Sequence, residues 1–118
     1  KQDLEVQKAY LEQLFEASTE AIVLINEQDR VVRINQQFID LFGFASEDLV
    51  GKSLDDTIIP KERQDEGKNV KRGIKTGKKT FHETVRQTKT GNLVDVSITG
   101  MSKGRHGEVN LFPQLIQK

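Results

Sequence analysis

Apolar residues in the first seventeen positions recur with the spacing of one face of a helix. Leu4, Leu11, Leu14 and Phe15 form that stripe, and the glutamines and glutamates between them point elsewhere. The pattern predicts an amphipathic helix over residues 3–17. Because an apolar stripe needs a partner surface, we expect residues 1–17 to form a dimerisation or linker helix whose four stripe residues meet a second subunit.

Two apolar segments follow, AIVLIN at residues 21–26 and VVRIN at residues 31–35. Both are rich in β-branched residues, which favour strands, and the polar stretch EQDR between them is typical of a turn. The segments therefore predict a β-hairpin. The uninterrupted run at 21–26 further predicts a first strand that is buried on both faces.

A capped helix is predicted after this hairpin. Asn35 can accept a hydrogen bond from a free amide in the first turn, Phe38, Leu41 and Phe42 supply an apolar side, and Gly43 ends the helix.

A second short helix is predicted from Ser46 as N-cap to Gly51, with Glu47 and Asp48 in its first turn. Adjacent helix positions point about 100° apart, and the first turn already explains two acids. We therefore do not interpret Glu47 and Asp48 as a catalytic pair.

The second half of the chain alternates between one helix and several strands. Pro60 suits the first turn of a helix that runs to about Thr76, with Val70 and Ile74 facing inward and Gly77 as its stop.

Residues 80–87 and 93–100 predict a second hairpin, in which Phe81 and Val85 on one strand and Val94, Val96 and Ile98 on the other point to the core. A glycine-rich loop at 103–107 leads to a last strand, where Pro113 is expected at an edge, a bulge or the strand's end. The order predicts one mixed α+β domain with a single sheet and helices on one face.

Composition and charge narrow the function classes. The 118 residues suit one domain, and the absence of cysteine excludes disulfides, thiolate metal sites and cysteine nucleophiles. The net charge of zero disfavours nucleic-acid binding. The start of the chain is acidic and residues 61–79 are basic, which predicts either solvated helix faces or surfaces that meet in a dimer or a longer parent chain. Without a membrane-length apolar run or a signal peptide, we expect a cytoplasmic domain, either free or as part of a membrane-anchored sensor, and no membrane contact by this segment.

Several ordered motifs resemble those of PAS domains, the sensory modules of bacterial signalling proteins. The matching stretches are ASTEAIVLIN, VVRINQQFIDLFGFASEDLVGKSL, IIPKER and KTGKKTFHETVRQTKTGNLVDVSITG, which together cover about residues 17–100. Asn35, the Gly43–Phe44 pair and the run from Ser46 to Gly51 carry the resemblance. It implies a five-stranded antiparallel sheet in the spatial order 2-1-5-4-3, and a PAS domain over residues 18–118.

The resemblance also implies a pocket between the sheet and the helices. The residues that we place around it, for which plain core packing is the alternative, are Phe38, Phe42, Leu54, Ile58, Val70, Ile74, Phe81, Val85, Val96 and Ile98. Two departures from the family pattern stand out. Asp29 occupies a turn position that usually carries glycine, and the C-terminal LFPQLIQK lacks the Asp-Ile-Thr segment that often couples to an output helix.

The same resemblance limits the cofactor. Haem-binding PAS domains use a histidine at a place that here holds Glu66 or Gly67, so haem is not expected. The two histidines, His82 and His106, lie elsewhere. The light-sensing LOV relatives need a cysteine near the position of Leu54, so a cysteine–flavin adduct is excluded.

Other ligands stay open at this point. Gln114 resembles the glutamine that touches flavin in LOV domains. A noncovalent flavin, a small carboxylate or other metabolite, a fatty acid and an empty core all remain compatible with the residues. Neither a zinc or iron ligand spacing nor a calcium loop is present, so no metal is expected.

Three functions are compatible with these residues. The first is a noncatalytic sensory and dimerisation module of a histidine kinase, a diguanylate cyclase or a chemoreceptor, in which a ligand shifts the packing of the N-terminal helix. The second is an interaction domain whose interior is filled by side chains. The third is a small enzyme with Asp95 as a base, which lacks a second polar partner and is disfavoured.

Overall fold

A computed structural model describes residues 3–76, 79–100, 104–106 and 109–118. The helical elements are α1 (Leu4–Ala17), α2 (Gln36–Phe42), α3 (Ser46–Leu49), α4 (Asp55–Ile58), a one-turn 3-10 helix (Lys61–Arg63) and α5 (Gln64–Lys75). The strands are β1 (Ala21–Ile25), β2 (Val31–Ile34), β3 (Thr80–Gln87), β4 (Leu93–Gly100), β5 (Gly104–His106) and β6 (Val109–Gln117).

All strand pairs are antiparallel, and the sheet order is β2-β1-β6-β4-β3. Since β6 is the fifth long strand of the chain, this confirms the expected order 2-1-5-4-3. The short β5 pairs with β6 and was not predicted, because its residues belong to the stretch interpreted as a loop. Residues 103 and 107 of that stretch lie outside the described residues.

One face of the sheet forms one wall of the hydrophobic core. In β1, Ala21, Val23 and Ile25 are buried, whereas Ile22 and Leu24 are only half-buried. The prediction that this strand is buried on both faces was therefore wrong. The strand has alternating burial, and its second set of apolar residues lies on the opposite face of the sheet, outside the core cluster.

Pro113 lies within β6, opposite Leu24 of β1. On the other side of β6, β4 pairs with residues from Gln114 onward and β5 pairs with residues up to Leu111. Pro113 therefore occupies the place where one neighbouring strand gives way to another. A residue without a backbone N–H fits there, because no ladder bond is required on that side.

The short helices follow local capping signals with one correction. The Asn35 side chain accepts from the Phe38 N–H, and Gly43 ends α2 in the left-handed conformation, as predicted. The prediction of Ser46 as an N-cap was wrong, because Ala45 holds that position. Ala45 has no side chain that could cap the first turn, and the Asp48 carboxylate accepts from the Ala45 N–H instead.

The region after α3 contains more helical pieces than the sequence predicted. Residues 55–58 form α4, and Pro60 precedes the 3-10 helix, so that α5 begins only at Gln64. The expected helix stop at Gly77 lies outside the described residues. In the β1–β2 turn, Asp29 has φ +64°, a left-handed conformation that aspartate tolerates better than most residues and that fits the glycine implied there by the resemblance.

The core is closely filled where helices meet the sheet. The Phe38 and Phe42 rings lie 4.7 Å apart, tilted by 44°. A Cβ built on Gly67 would overlap the Ile59 side chain, and one built on Gly100 would overlap Ile74. These two glycines let α5 approach the segment before it and the sheet more closely than any larger residue would.

Candidate functional site

Eight of the ten predicted pocket residues lie together in the buried core. Phe38 and Phe42 come from α2, Val70 and Ile74 from α5, and the other four from the segment before α4, from α4 and from β4, namely Leu54, Ile58, Val96 and Ile98. The structure therefore brings these eight residues into one cluster between the helices and the inner sheet face. Whether they contact a ligand remains a prediction.

Phe81 and Val85 were placed in this set wrongly. The Phe81 side chain is 63% exposed and Val85 is half-buried. The β3–β4 register pairs His82 with Ile98 and Thr84 with Val96, so the even-numbered residues of β3 share the face of the buried β4 residues. Strand alternation then directs Phe81 and Val85 to the outer face. There Val85 lines an open groove of about 560 Å³ together with Glu83 and Asp95.

Gln114 is the buried polar side chain on the central strand. It lies on the inner face of β6, with 4% of its surface exposed, next to Val23 of β1 and Gly100 of β4 in the sheet register. His82 also belongs to the inner face and is half-buried. The inner face of the sheet therefore carries these two polar side chains, together with Thr84 and Arg86 of β3, beside the apolar residues of β4.

Glu66, one of the two residues at the place where the resemblance implied a histidine for haem binding, forms an ion pair. Its carboxylate receives two hydrogen bonds from the buried Arg86 guanidinium, at 2.8 and 2.9 Å, and a further hydrogen bond from the Thr84 hydroxyl. The Arg86 hydrogen bonds are the main reason that the pKa of Glu66 lies below its usual value, with a smaller contribution from Thr84. This position thus joins α5 to β3 through charge.

The Glu66–Arg86 pair should give the domain an acid-sensitive component of stability. The pKa of Glu66 in the folded state lies below the ordinary 4.5, so its contribution is present above about pH 4.5 and is lost as the pH falls through the folded-state value. We expect Glu66→Gln to lower the free energy of unfolding by about 1 kcal/mol at pH 7, since the pair is partly exposed. Urea unfolding from pH 7 to pH 3 should show this deficit shrinking toward zero. Glu62→Gln, at an exposed site nearby, is the control, and a deficit that stays constant with pH would contradict the assignment.

A second ion-pair cluster connects α5 with two other segments. Lys71 Nζ lies 2.7 Å from the Asp55 carboxylate of α4 and 3.5 Å from that of Asp29 in the β1–β2 turn. The Asp55 side chain is 8% exposed and that of Lys71 is 14% exposed. No local pattern in the sequence marks this cluster, because its three members are far apart in the chain.

The predicted dimer-interface residues divide into two groups. Leu4, Leu11 and Leu14 are 68%, 64% and 53% exposed, and α1 has no buried residue. Phe15 is half-buried, and the Arg33 guanidinium lies 4.4 Å above its ring. The three leucines therefore remain open for a partner, whereas Phe15 contacts the body of the domain.

The acids considered for catalysis occupy surface positions. Asp95 is exposed on the outer face, and Glu47 is exposed in the first turn of α3. The Ala45 N–H and then the Lys89 ammonium lower the pKa of Asp48, consistent with a capping and ion-pairing role.

Within the described ranges, no group of three or more histidine, cysteine or acidic side chains is placed to hold a metal ion. No helix in that part of the chain has the length and apolar character needed to cross a membrane.

Solved structures share this architecture. The PAS domain of an HTR-like protein from Haloarcula marismortui matches with a TM-score of 0.80 and 18% identity, over 97% of this chain and 93% of that one. A PAS domain from a two-component sensor histidine kinase matches with a TM-score of 0.76 and 12% identity over 98% of both chains. The Rhodobacter sphaeroides LOV protein matches 98% of this chain and 68% of its own, with a TM-score of 0.77 and 15% identity. At these identities the likeness is one of fold.

Sequence comparison assigns the family. No curated protein matches the chain. The family profile described as the PAS fold matches residues 9–111, which span the end of α1, both hairpins and the start of β6. The chain belongs to the PAS family.

Proposed function

We propose that this PAS domain is a noncatalytic sensory module of a larger signalling protein, such as a histidine kinase, a diguanylate cyclase or a chemoreceptor, and that α1 transmits its state by pairing with α1 of a second subunit. The observation that carries the proposal is the exposed leucine stripe on a helix that the domain holds through its C-terminal half, at Glu12, Phe15 and Glu16. The likeness to a PAS domain of a sensor histidine kinase supports the signalling context.

The spacing of the stripe fits a two-helix seam. Leu4 and Leu11 are seven residues apart, and Leu14 follows three residues later, which is the a, a, d pattern of a heptad repeat. Pairing would remove three large apolar side chains from water in each subunit, and each fully buried leucine contributes about 1.5–3 kcal/mol. A homodimer through α1 therefore accounts for the solvent exposure of these residues in the single chain.

Leu11→Glu tests the dimer at the centre of the stripe. Each subunit would place a carboxylate in the apolar seam, so we expect the dimer dissociation constant to rise by at least about 100-fold. Light scattering coupled to size-exclusion chromatography, over a wide range of protein concentrations, measures the change. Gln13→Glu adds the same charge away from the stripe and should keep the dimer. A wild-type chain that stays monomeric at every concentration would refute this part of the proposal.

Ligand binding inside the domain is the second candidate function. It is favoured by Gln114, a buried residue on the inner face of the central strand, whose amide can offer a donor and an acceptor to a flavin, a small carboxylate or another metabolite. The close packing at Gly67 and Gly100 favours the alternative of an interaction domain filled by its own side chains.

Native mass spectrometry and an absorption spectrum of freshly purified protein distinguish these alternatives. A ligand held by Gln114 predicts a stoichiometric extra mass that is lost in Gln114→Leu, and a visible band if the ligand is a flavin. His82→Leu, at a second polar site on the same face, tests whether the loss is specific to Gln114. A bare chain mass in the wild type would support the ligand-free interaction domain.

A further inference from the structure

Helix α1 is attached to the domain at an exposed cluster around Arg33 of β2. Arg33 Nη1 donates to a Glu12 carboxylate oxygen at 2.8 Å and Nη2 donates to the other oxygen of the same group. Nη2 also lies 3.4 Å from one Glu16 carboxylate oxygen, and the other oxygen accepts from the Gln36 N–H of α2 at 2.9 Å. The central carbon of the Arg33 guanidinium lies 4.4 Å from the centre of the Phe15 ring. We call Arg33, Glu12, Glu16 and Phe15 the α1 clasp.

A buried attachment lies just beyond the clasp. The Asn35 amide nitrogen donates to the Phe15 carbonyl and to the Glu20 carbonyl, both at 3.0 Å, and so spans the connection between α1 and β1. Its oxygen accepts from the Ile22 N–H at 2.9 Å and from the Phe38 N–H at 3.0 Å. Asn35 is fully buried and uses all four of its hydrogen-bonding positions.

The two attachments differ in strength. In the clasp, the side chains of Arg33, Glu12 and Glu16 are 40%, 52% and 47% exposed. Ion pairs at such exposure are weak, because water and salt replace them at little cost. Asn35 itself has no exposed surface, so breaking its hydrogen bonds leaves a buried amide without partners. The clasp will therefore open long before the Asn35 attachment does.

We propose that the α1 clasp is a releasable latch that sets the direction in which α1 leaves the domain. When it opens, α1 swings about its C-terminal end, where Asn35 still holds the Phe15 carbonyl, and the sheet and α2 stay folded. Movement at the start of α2 reaches α1 through the same asparagine, since Asn35 caps the helix that carries Phe38 and Phe42. Only the use of this motion in signalling rests on the proposed function; the latch itself is a property of the single chain.

Paired spin labels measure the latch directly. The chain has no cysteine, so Lys8→Cys on α1 and Thr90→Cys in the β3–β4 turn give two unique labelling sites. Leu11→Glu is added to both samples so that distances between subunits do not contribute. We expect one narrow distance distribution with Arg33 intact and a second, separate population in Arg33→Gln. Loss of two exposed ion pairs and one cation–π contact should raise that population about tenfold.

Three comparisons make the test decisive. Arg33→Lys keeps the charge but loses the two-pronged hydrogen bond and the guanidinium contact with the Phe15 ring, so its second population should fall between those of wild type and Arg33→Gln. Arg63→Gln removes another exposed arginine, one that pairs with Glu66, and should leave the distribution of distances between the spin labels narrow. Unchanged distances in Arg33→Gln, or equal broadening in Arg63→Gln, would overturn the latch. A wild-type chain that is monomeric would refute α1 pairing but leave this measurement intact.

Discussion

Asn35→Ala should lower the free energy of unfolding by about 3–4 kcal/mol, through loss of a helix cap and of three further hydrogen bonds at a fully buried site. The substitution leaves the amides of Ile22 and Phe38 without their side-chain acceptor. It also frees the Phe15 and Glu20 carbonyls, so α1, β1 and α2 lose their common attachment. Urea unfolding followed by circular dichroism measures the change, with a lower midpoint and little change in slope.

A second substitution separates the helix cap of Asn35 from its other hydrogen bonds, which form a junction between α1, β1 and α2. Asn35→Ser keeps an oxygen that can accept from the Phe38 amide but cannot reproduce both amide donations. We expect it to recover about half of the loss. Asn69→Ala, at an exposed position of α5, is the control and should stay within about 0.5 kcal/mol of wild type. If Asn35→Ala costs no more than this control, the junction does not hold the three elements together.

Local signals explain why part of this junction was predictable. Asn35 precedes a helical apolar pattern, so its cap on α2 followed from the sequence. Its hydrogen bonds to the Phe15 and Glu20 carbonyls did not, because they join residues 20 and 15 positions away. The family resemblance supplied the strand order, but no short-range rule states which carbonyls a buried amide will meet.

The outer and inner faces of β3 show the limit of hydrophobic alternation. Phe81 and Val85 are the apolar residues of that strand, and taking them as the inward set was reasonable from the sequence. In the structure, Arg86 faces inward instead, because its guanidinium binds Glu66 of α5 and so is buried as an ion pair. An interior charge with a distant partner thus reverses the apparent pattern of the strand.

The predicted N-cap of α3 was also wrong by one residue, at a place where both Ser46 and Asp48 can offer an oxygen to a backbone amide. Ser46 is a preferred N-cap type, yet Asp48 supplies the oxygen for the Ala45 amide and moves the start of α3. The extra helical turn at α4 carries acids in its first turn, one of which, Asp55, is buried. That acid is compatible with the interior only because Lys71 of α5 lies beside it, a partner 16 residues away.

Lys71→Met should destabilise the domain by about 3 kcal/mol, since removing one partner of a buried ion pair leaves the other charge without compensation. Methionine has nearly the helix propensity of lysine and a similar length, so α5 itself should persist. The loss arises at Asp55 and, more weakly, at Asp29, and it loosens the contact of α5 with α4 and with the β1–β2 turn. Urea unfolding at pH 7 measures it, with Lys68→Met at an exposed position of the same helix as the matched control.

The double variant Asp55→Leu, Lys71→Met identifies the cause. If the buried charge is what destabilises Lys71→Met, replacing both partners by apolar residues should restore most of the lost stability, with a coupling of about 2 kcal/mol between the sites. Additive losses in the double variant would show instead that Lys71 acts through the packing of its aliphatic stem. Equal stabilities of Lys71→Met and Lys68→Met would show that the ion pair does not hold α5 in place. The buried aspartate of α4 would then have no physical explanation in Lys71.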